Sequence, residues 1–173
     1  MYRTAAASVI LLAIAFAGHA TPPAGGSRSV PFSGGEAIIT TAGDVQHVVI
    51  RDRAGHTLAA SDCSGSTGHY DQIVAFLGNV RTGVRANDRD AVAALIAYPL
   101  RVNLGPGKAT RVASRHDLLA HYSKIITPGV AGKIGKMNPH VVFCRDGMAM
   151  GGDGVIWASL DDHGALRISV INQ

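Results

Sequence analysis

The chain has 173 residues, of which 47% are hydrophobic and 5% aromatic, and it carries a formal charge of +4. That is enough chain for one domain with its own core. Its 16 Lys and Arg are scattered rather than gathered in a run, and with so few aromatics to interleave they exclude a nucleic-acid groove, leaving only a weak preference for acidic surfaces.

The N-terminus reads as a targeting segment. Arg3 precedes an uncharged apolar run over residues 5–17, and Gly18 and Ala20 put small residues at the two positions a signal peptidase needs. Residues 1–20 are therefore expected to be a cleaved signal peptide. The run of about thirteen residues is short of the roughly 20 needed to span a bilayer, and no cysteine near the cut suggests a lipoprotein. A periplasmic or secreted protein without stable membrane insertion is the expectation. In that setting Cys63 and Cys144 invite one disulfide, tying the N-terminal section to the last sheet, with two separate buried thiols as the alternative. A bridge would close a loop of about 80 residues, worth around 4 kcal/mol on chain-entropy grounds.

Residues 21–35, rich in Pro, Gly and Ser, read as a flexible lead. Residues 36–41, 45–50 and 56–60 alternate about turns at Gly43 and Gly55, giving an N-terminal β section over residues 36–63. A main domain is expected over residues 64–173. Tyr70, Ile73, Val74, Leu77, Val80 and Val84 recur at three and four, one apolar stripe of a helix that Thr67 or Gly68 would cap. Asn87 would cap a second helix burying Val92, Leu95 and Ile96, and Pro99 would end it. Residues 100–104 and 109–113 flank Gly105-Pro106-Gly107 as a hairpin. Ser114, with Asp117 three residues on, starts a helix carrying Leu118, Tyr122 and Ile125. Thr127-Pro128 starts another, lined by Val130, Ile134 and Met137. Residues 140–144, 155–160 and 165–171 then form strands between short turns, which argues for antiparallel neighbours. The fold class is α+β, a sheet covered by helices.

Two phrases carry a family resemblance: Tyr98-Pro-Leu-Arg-Val102 after two helices, and Gly152-Asp-Gly-Val-Ile-Trp157 late in the chain. With the helix bearing Tyr122, they resemble exported bacterial proteins of the NTF2-like (nuclear transport factor 2-like) superfamily, over about residues 67–172. The resemblance implies a curved antiparallel sheet wrapped over helices as a cone, with a conical pocket and a homodimer through the sheet. Enzymes of that superfamily use an Asp base, or an Asp and His pair, with a Tyr donor; those motifs find no register on this chain. Fold alone does not select a function.

Within a cone, Tyr98, Tyr122, His140 and Trp157 would each bring an apolar body and a polar tip to the pocket lining, fit for a small apolar molecule bearing one or two oxygens. Asp146 and Asp153 read as turn residues, as do Asp161, Asp162 and His163. His116 and His121 are five apart and share no helix face as a zinc pair would. Cys144 and His140 stand about 13 Å apart along an extended strand, too far for a nucleophile and its base. No GxSxG, HExxH, paired CxxC or phosphate loop occurs. No catalytic residue, metal or cofactor is assigned. The expected function is that of an exported ligand-binding domain, non-catalytic, with a small apolar molecule or a protein as partner. An isomerase, dehydratase or hydrolase using the pocket, and a protein-interaction or inhibitor module, are the alternatives.

Overall fold

The computed structural model describes residues 25–173; the segment expected to be a signal peptide and the start of the expected lead, residues 1–24, lie outside them. The described chain is α+β with two sheets. The first is an antiparallel meander of β1 (Ser27–Phe32), β2 (Gly35–Ala42), β3 (Val45–Asp52) and β4 (Thr57–Ser64). The two- and three-residue turn signals at Gly43 and Gly55 place these strands. Both glycines have positive φ, +59° and +86°. β1 falls inside the stretch read as a flexible lead. Val30 and Phe32 are its half-buried positions, and Pro31 sits where an edge strand tolerates a missing donor. Ala37, Ile39, Val48, Ile50 and Cys63 form the buried face.

The helices follow. α1 (Tyr70–Arg85) buries Tyr70, Ile73, Phe76, Leu77 and Val80, the stripe legible in its periodicity. Its start lies at His69, whose amide donates to Gln72 Oε1 at 3.0 Å, one or two residues after the expected cap. α2 (Arg89–Ala94) is capped by Asp88, which accepts from the Ala91 amide at 2.9 Å, while Asn87 takes φ +51° in the turn before it. α3 (Arg115–Ala120) starts at Ser114, whose hydroxyl accepts from the Asp117 amide at 3.2 Å. α4 (Tyr122–Ile125) is a single turn. α5 (Pro128–Lys136) starts at Thr127, with Oγ1 accepting from the Val130 amide at 3.3 Å and Pro128 at the first helical position.

The second sheet has six strands: β5 (Ile96–Gly105), β6 (Lys108–Val112), β7 (Phe143–Arg145), β8 (Met148–Gly151), β9 (Ile156–Leu160) and β10 (Leu166–Asn172), in the order β6-β5-β10-β9-β8-β7. β7 to β10 form an antiparallel meander with Asp146-Gly147 and residues 161–164 reversing the chain; β7, β9 and β10 correspond to the three expected strands, and β8 is an additional one. The expected cone is not formed. β10 pairs with β5 in parallel, Val170 opposite Arg101 and Asn172 opposite Asn103. The strand order is open, ending on β6 and β7, so no closed sheet encloses a conical pocket. The NTF2-like fold class and membership are therefore corrected to an α+β fold of two open sheets. The reason is physical: side chains alternate with period two in parallel and antiparallel strands alike, so the pattern along β10 does not reveal its non-sequential neighbour.

The two sheets meet at β4 and β7. Cys63 and Cys144 are bonded, with Cα atoms 5.3 Å apart and a sequence separation of 81. Beside the bond, the Cys144 amide donates to Ser61 Oγ at 2.9 Å. α1 is a second tie: its Tyr70 amide donates to Gln46 Oε1 of β3 at 2.8 Å. Two turns further along the same buried stripe, Leu77 lies where a Cβ on Gly151 of β8 would approach to 2.7 Å, so glycine at 151 lets the helix come this close. Both sheets and α1 thus feed one continuous core.

The unreduced protein is expected to show no free thiol. A Cys63→Ala/Cys144→Ala variant should lose about 4 kcal/mol of unfolding free energy in urea, the loop-closure entropy of an 81-residue separation. Two titratable thiols in the unreduced protein would contradict the bridge.

Candidate functional site

Tyr98, Tyr122, His140 and Trp157 do not converge on one cavity. Tyr98, on β5, donates its hydroxyl to the Ala93 carbonyl at 3.2 Å, and burial pushes its pKa up. Tyr122 is 5% exposed, with the Arg89 guanidinium 5.3 Å from its ring centroid; burial pushes its pKa up as well. Both act as core aromatics with satisfied or covered tips.

His140 lies between the sheets. Its ring stacks on Phe32 of β1 with centroids 5.1 Å apart, and its Nδ1 stands 3.1 Å from the Tyr70 hydroxyl. Burial, then the charge of Asp71, pushes Tyr70 up to about 12. Tyr70 therefore keeps its proton, and its hydroxyl also donates to the His140 carbonyl at 3.4 Å. Burial, then the Arg81 guanidinium, holds His140 below the ordinary histidine value. The same ring borders a depression of about 580 Å³ with Arg81, Lys136 and Asn138.

Trp157 faces the other way. The register aligns Arg101, Val170, Trp157, Met150 and Phe143 across β5, β10, β9, β8 and β7, one row on the face opposite the buried Ile156, Ala158 and Ala149. Of these, Val170, Trp157, Met150 and Phe143 are half-buried.

A groove of about 730 Å³ lies where this row reaches α5. Val130 and Ile134 turn one side of α5 into the core, and Gly129, Gly132, Lys133 and Lys136, at i, i+3, i+4 and i+7, form the opposite side and line the groove. A Cβ on Gly132 would meet nothing within 4 Å, so the helix backbone itself is open to a ligand there. Leu58, Met137, Val141, Phe143 and Met150 supply apolar surface. Leu58 is 55% exposed and adds apolar surface at the rim of the groove. Lys133 and Lys136 have no ion-pair partner among the described residues. Asp153 stands at the groove edge and is the groove's single carboxylate. Gly152, which precedes it, takes φ +61°, a conformation that favours glycine, and lies in ordinary contact range of Ile134, where α5 meets the end of β8. The sequence signal for this site was the glycine and lysine side of α5 opposite Val130 and Ile134, which attention to aromatics passed over.

The acidic residues behave as turn formers. Asp146 and Asp153 are exposed with φ +51° and +54°. Asp161 accepts from the His163 and Ala165 amides at 3.0 and 2.9 Å and from Arg167 Nε at 3.1 Å, hydrogen bonds that hold its carboxyl below the usual range. Among the described residues no group of three or more His, Cys, Asp or Glu is placed to hold a metal ion, and no helix is long and apolar enough to cross a membrane. The chain matches no family model, no curated protein and no solved structure.

His140 gives a pH dependence with a definite sign. Its pKa is depressed from 6.5 in the folded state, so the unfolded chain takes up the proton first as pH falls. The stability tied to the neutral ring is present above that value and is lost as pH drops below it. The fall in thermal midpoint between pH 7.5 and pH 5 is expected to be smaller in His140→Gln than in the wild type; equal falls would show that the imidazole does not contribute.

Proposed function

We propose that this chain is an exported, non-catalytic binding domain, and that its ligand site is the groove between α5, β4 and the β7–β8 end of the larger sheet. The observation that carries the reading is the side of α5 left open by Gly129 and Gly132 above apolar surface. A helix that served only the core would have no need of glycines on its outer side, where each costs about 1 kcal/mol against alanine. The groove volume lies within the roughly 300–1,000 Å³ of small-molecule sites. Export is supported by the segment over residues 1–20 and by the Cys63–Cys144 bond, which persists in an oxidising compartment. A periplasmic or secreted location follows from that reading.

A second reading, a protein-interaction module, is favoured by the half-buried row of Val170, Trp157, Met150 and Phe143 on the open sheet face. The two readings separate on Gly132. Incubation with a lipid and metabolite extract, followed by native mass spectrometry, should show a retained small-molecule mass. Gly132→Phe should lose it while unfolding at the wild-type temperature or above, because the new side chain enters open space and phenylalanine has the higher helix propensity. Retention of no mass by the wild-type protein would count against the groove as a ligand site.

A further inference from the structure

We infer that the groove takes a small anionic amphiphile, a molecule with an apolar tail and a carboxylate or phosphate head; this rests on the groove being the ligand site. The charges around it are unbalanced. Lys133 and Lys136 stand on the α5 wall without ion-pair partners among the described residues, against the single carboxylate of Asp153. Arg81 adds a third cation beside them: its Nη1 donates to the Met137 carbonyl at 3.2 Å, and it borders the adjoining depression that shares Lys136, Met137 and Asn138 with the groove. Two lysines one turn apart on one helix side suit a compact anion, which can take up ammonium donors from both.

The rest of the lining suits a tail. Leu58, Val141, Phe143 and Met150 offer apolar surface without a buried polar group to recognise a second head. Methionine and an exposed leucine adapt to a flexible chain rather than to one rigid shape. Gly129 and Gly132 let that chain lie against the helix backbone between the lysines and the apolar floor. A cationic or purely polar ligand would leave either the lysines or the floor unmatched.

The site carries its own reporter. Trp157, the single tryptophan of the chain, is the cross-strand partner of Met150, which lines the groove. Four probes below their micelle concentrations separate the possibilities: palmitate, dodecyl phosphate, dodecyltrimethylammonium and dodecyl maltoside, each followed by Trp157 fluorescence and native mass spectrometry. Palmitate, dodecyl phosphate or both should bind at one equivalent, and their ratio tells a carboxylate from a phosphate head. Lys133→Glu/Lys136→Glu should weaken anion binding about tenfold or more and leave the maltoside unchanged, since two attractive contacts become repulsive. Gly132→Phe should abolish binding of any chain. Binding of the cationic or neutral probe as tight as that of the anions, insensitive to the lysine reversals but lost in Gly132→Phe, would overturn the anionic class and leave the groove standing. Binding of no probe, or binding unchanged in Gly132→Phe, would overturn the groove itself.

Discussion

The bond between Cys63 and Cys144 joins two sheets that share no hydrogen-bonded ladder among the described residues. Around it, contact between β4 and β7 has one polar tie, the Cys144 amide on Ser61. The buried face of the small sheet contributes five residues to the core, too few to stand as a domain. Its stability is borrowed from α1 and from the covalent link. Closing an 81-residue separation lowers the entropy of the unfolded chain by an amount comparable to a large share of a domain's 5–15 kcal/mol net stability. The link also fixes β4 beside β7, two strands whose Leu58 and Phe143 both line the groove.

The groove is thus a by-product of joining two open sheets and then laying a helix across the seam. α5 meets Gly152 at the end of β8 and is seated from inside by Val130 and Ile134. Its outer side has no packing duty, and glycine there trades helix stability for open backbone. Lysines at the remaining positions cannot be explained by ion pairs within the described chain. Lys133 and Lys136 lie in the last turn of α5, where the helix dipole favours cations, and they meet the open helix side and the exposed leucine at one groove, the basis of the proposed ligand site.

Local chemistry was legible in the sequence, and long-range pairing was not. The α1 stripe, the Ser114 and Thr127 caps and the turns before β8 and β10 follow from rules that act within a few residues. The bridge was one of two open readings and is formed. The parallel neighbour of β10 was invisible because alternation is blind to strand direction, and with it fell the NTF2-like cone that would have gathered Tyr98, Tyr122, His140 and Trp157. Those four are instead distributed: two serve the core, one stacks between Phe32 and Tyr70, and one stands on the open face. Phe32 itself belongs to a strand that Pro and Gly content disguised as a lead. The residues of the groove were missed for a simple reason. Glycine and lysine on a short helix read as solvated surface unless the opposite side and the neighbouring strands are known.

The most direct measurement of the account is a map of amide chemical shifts in the isotope-labelled protein as dodecyl phosphate or palmitate is added. The account requires the perturbed amides to cluster on Gly129, Gly132, Lys133, Met150 and Leu58, with Tyr98 and Tyr122 unmoved. Perturbations confined to β5, β6 and α3, or scattered without a cluster, would contradict it.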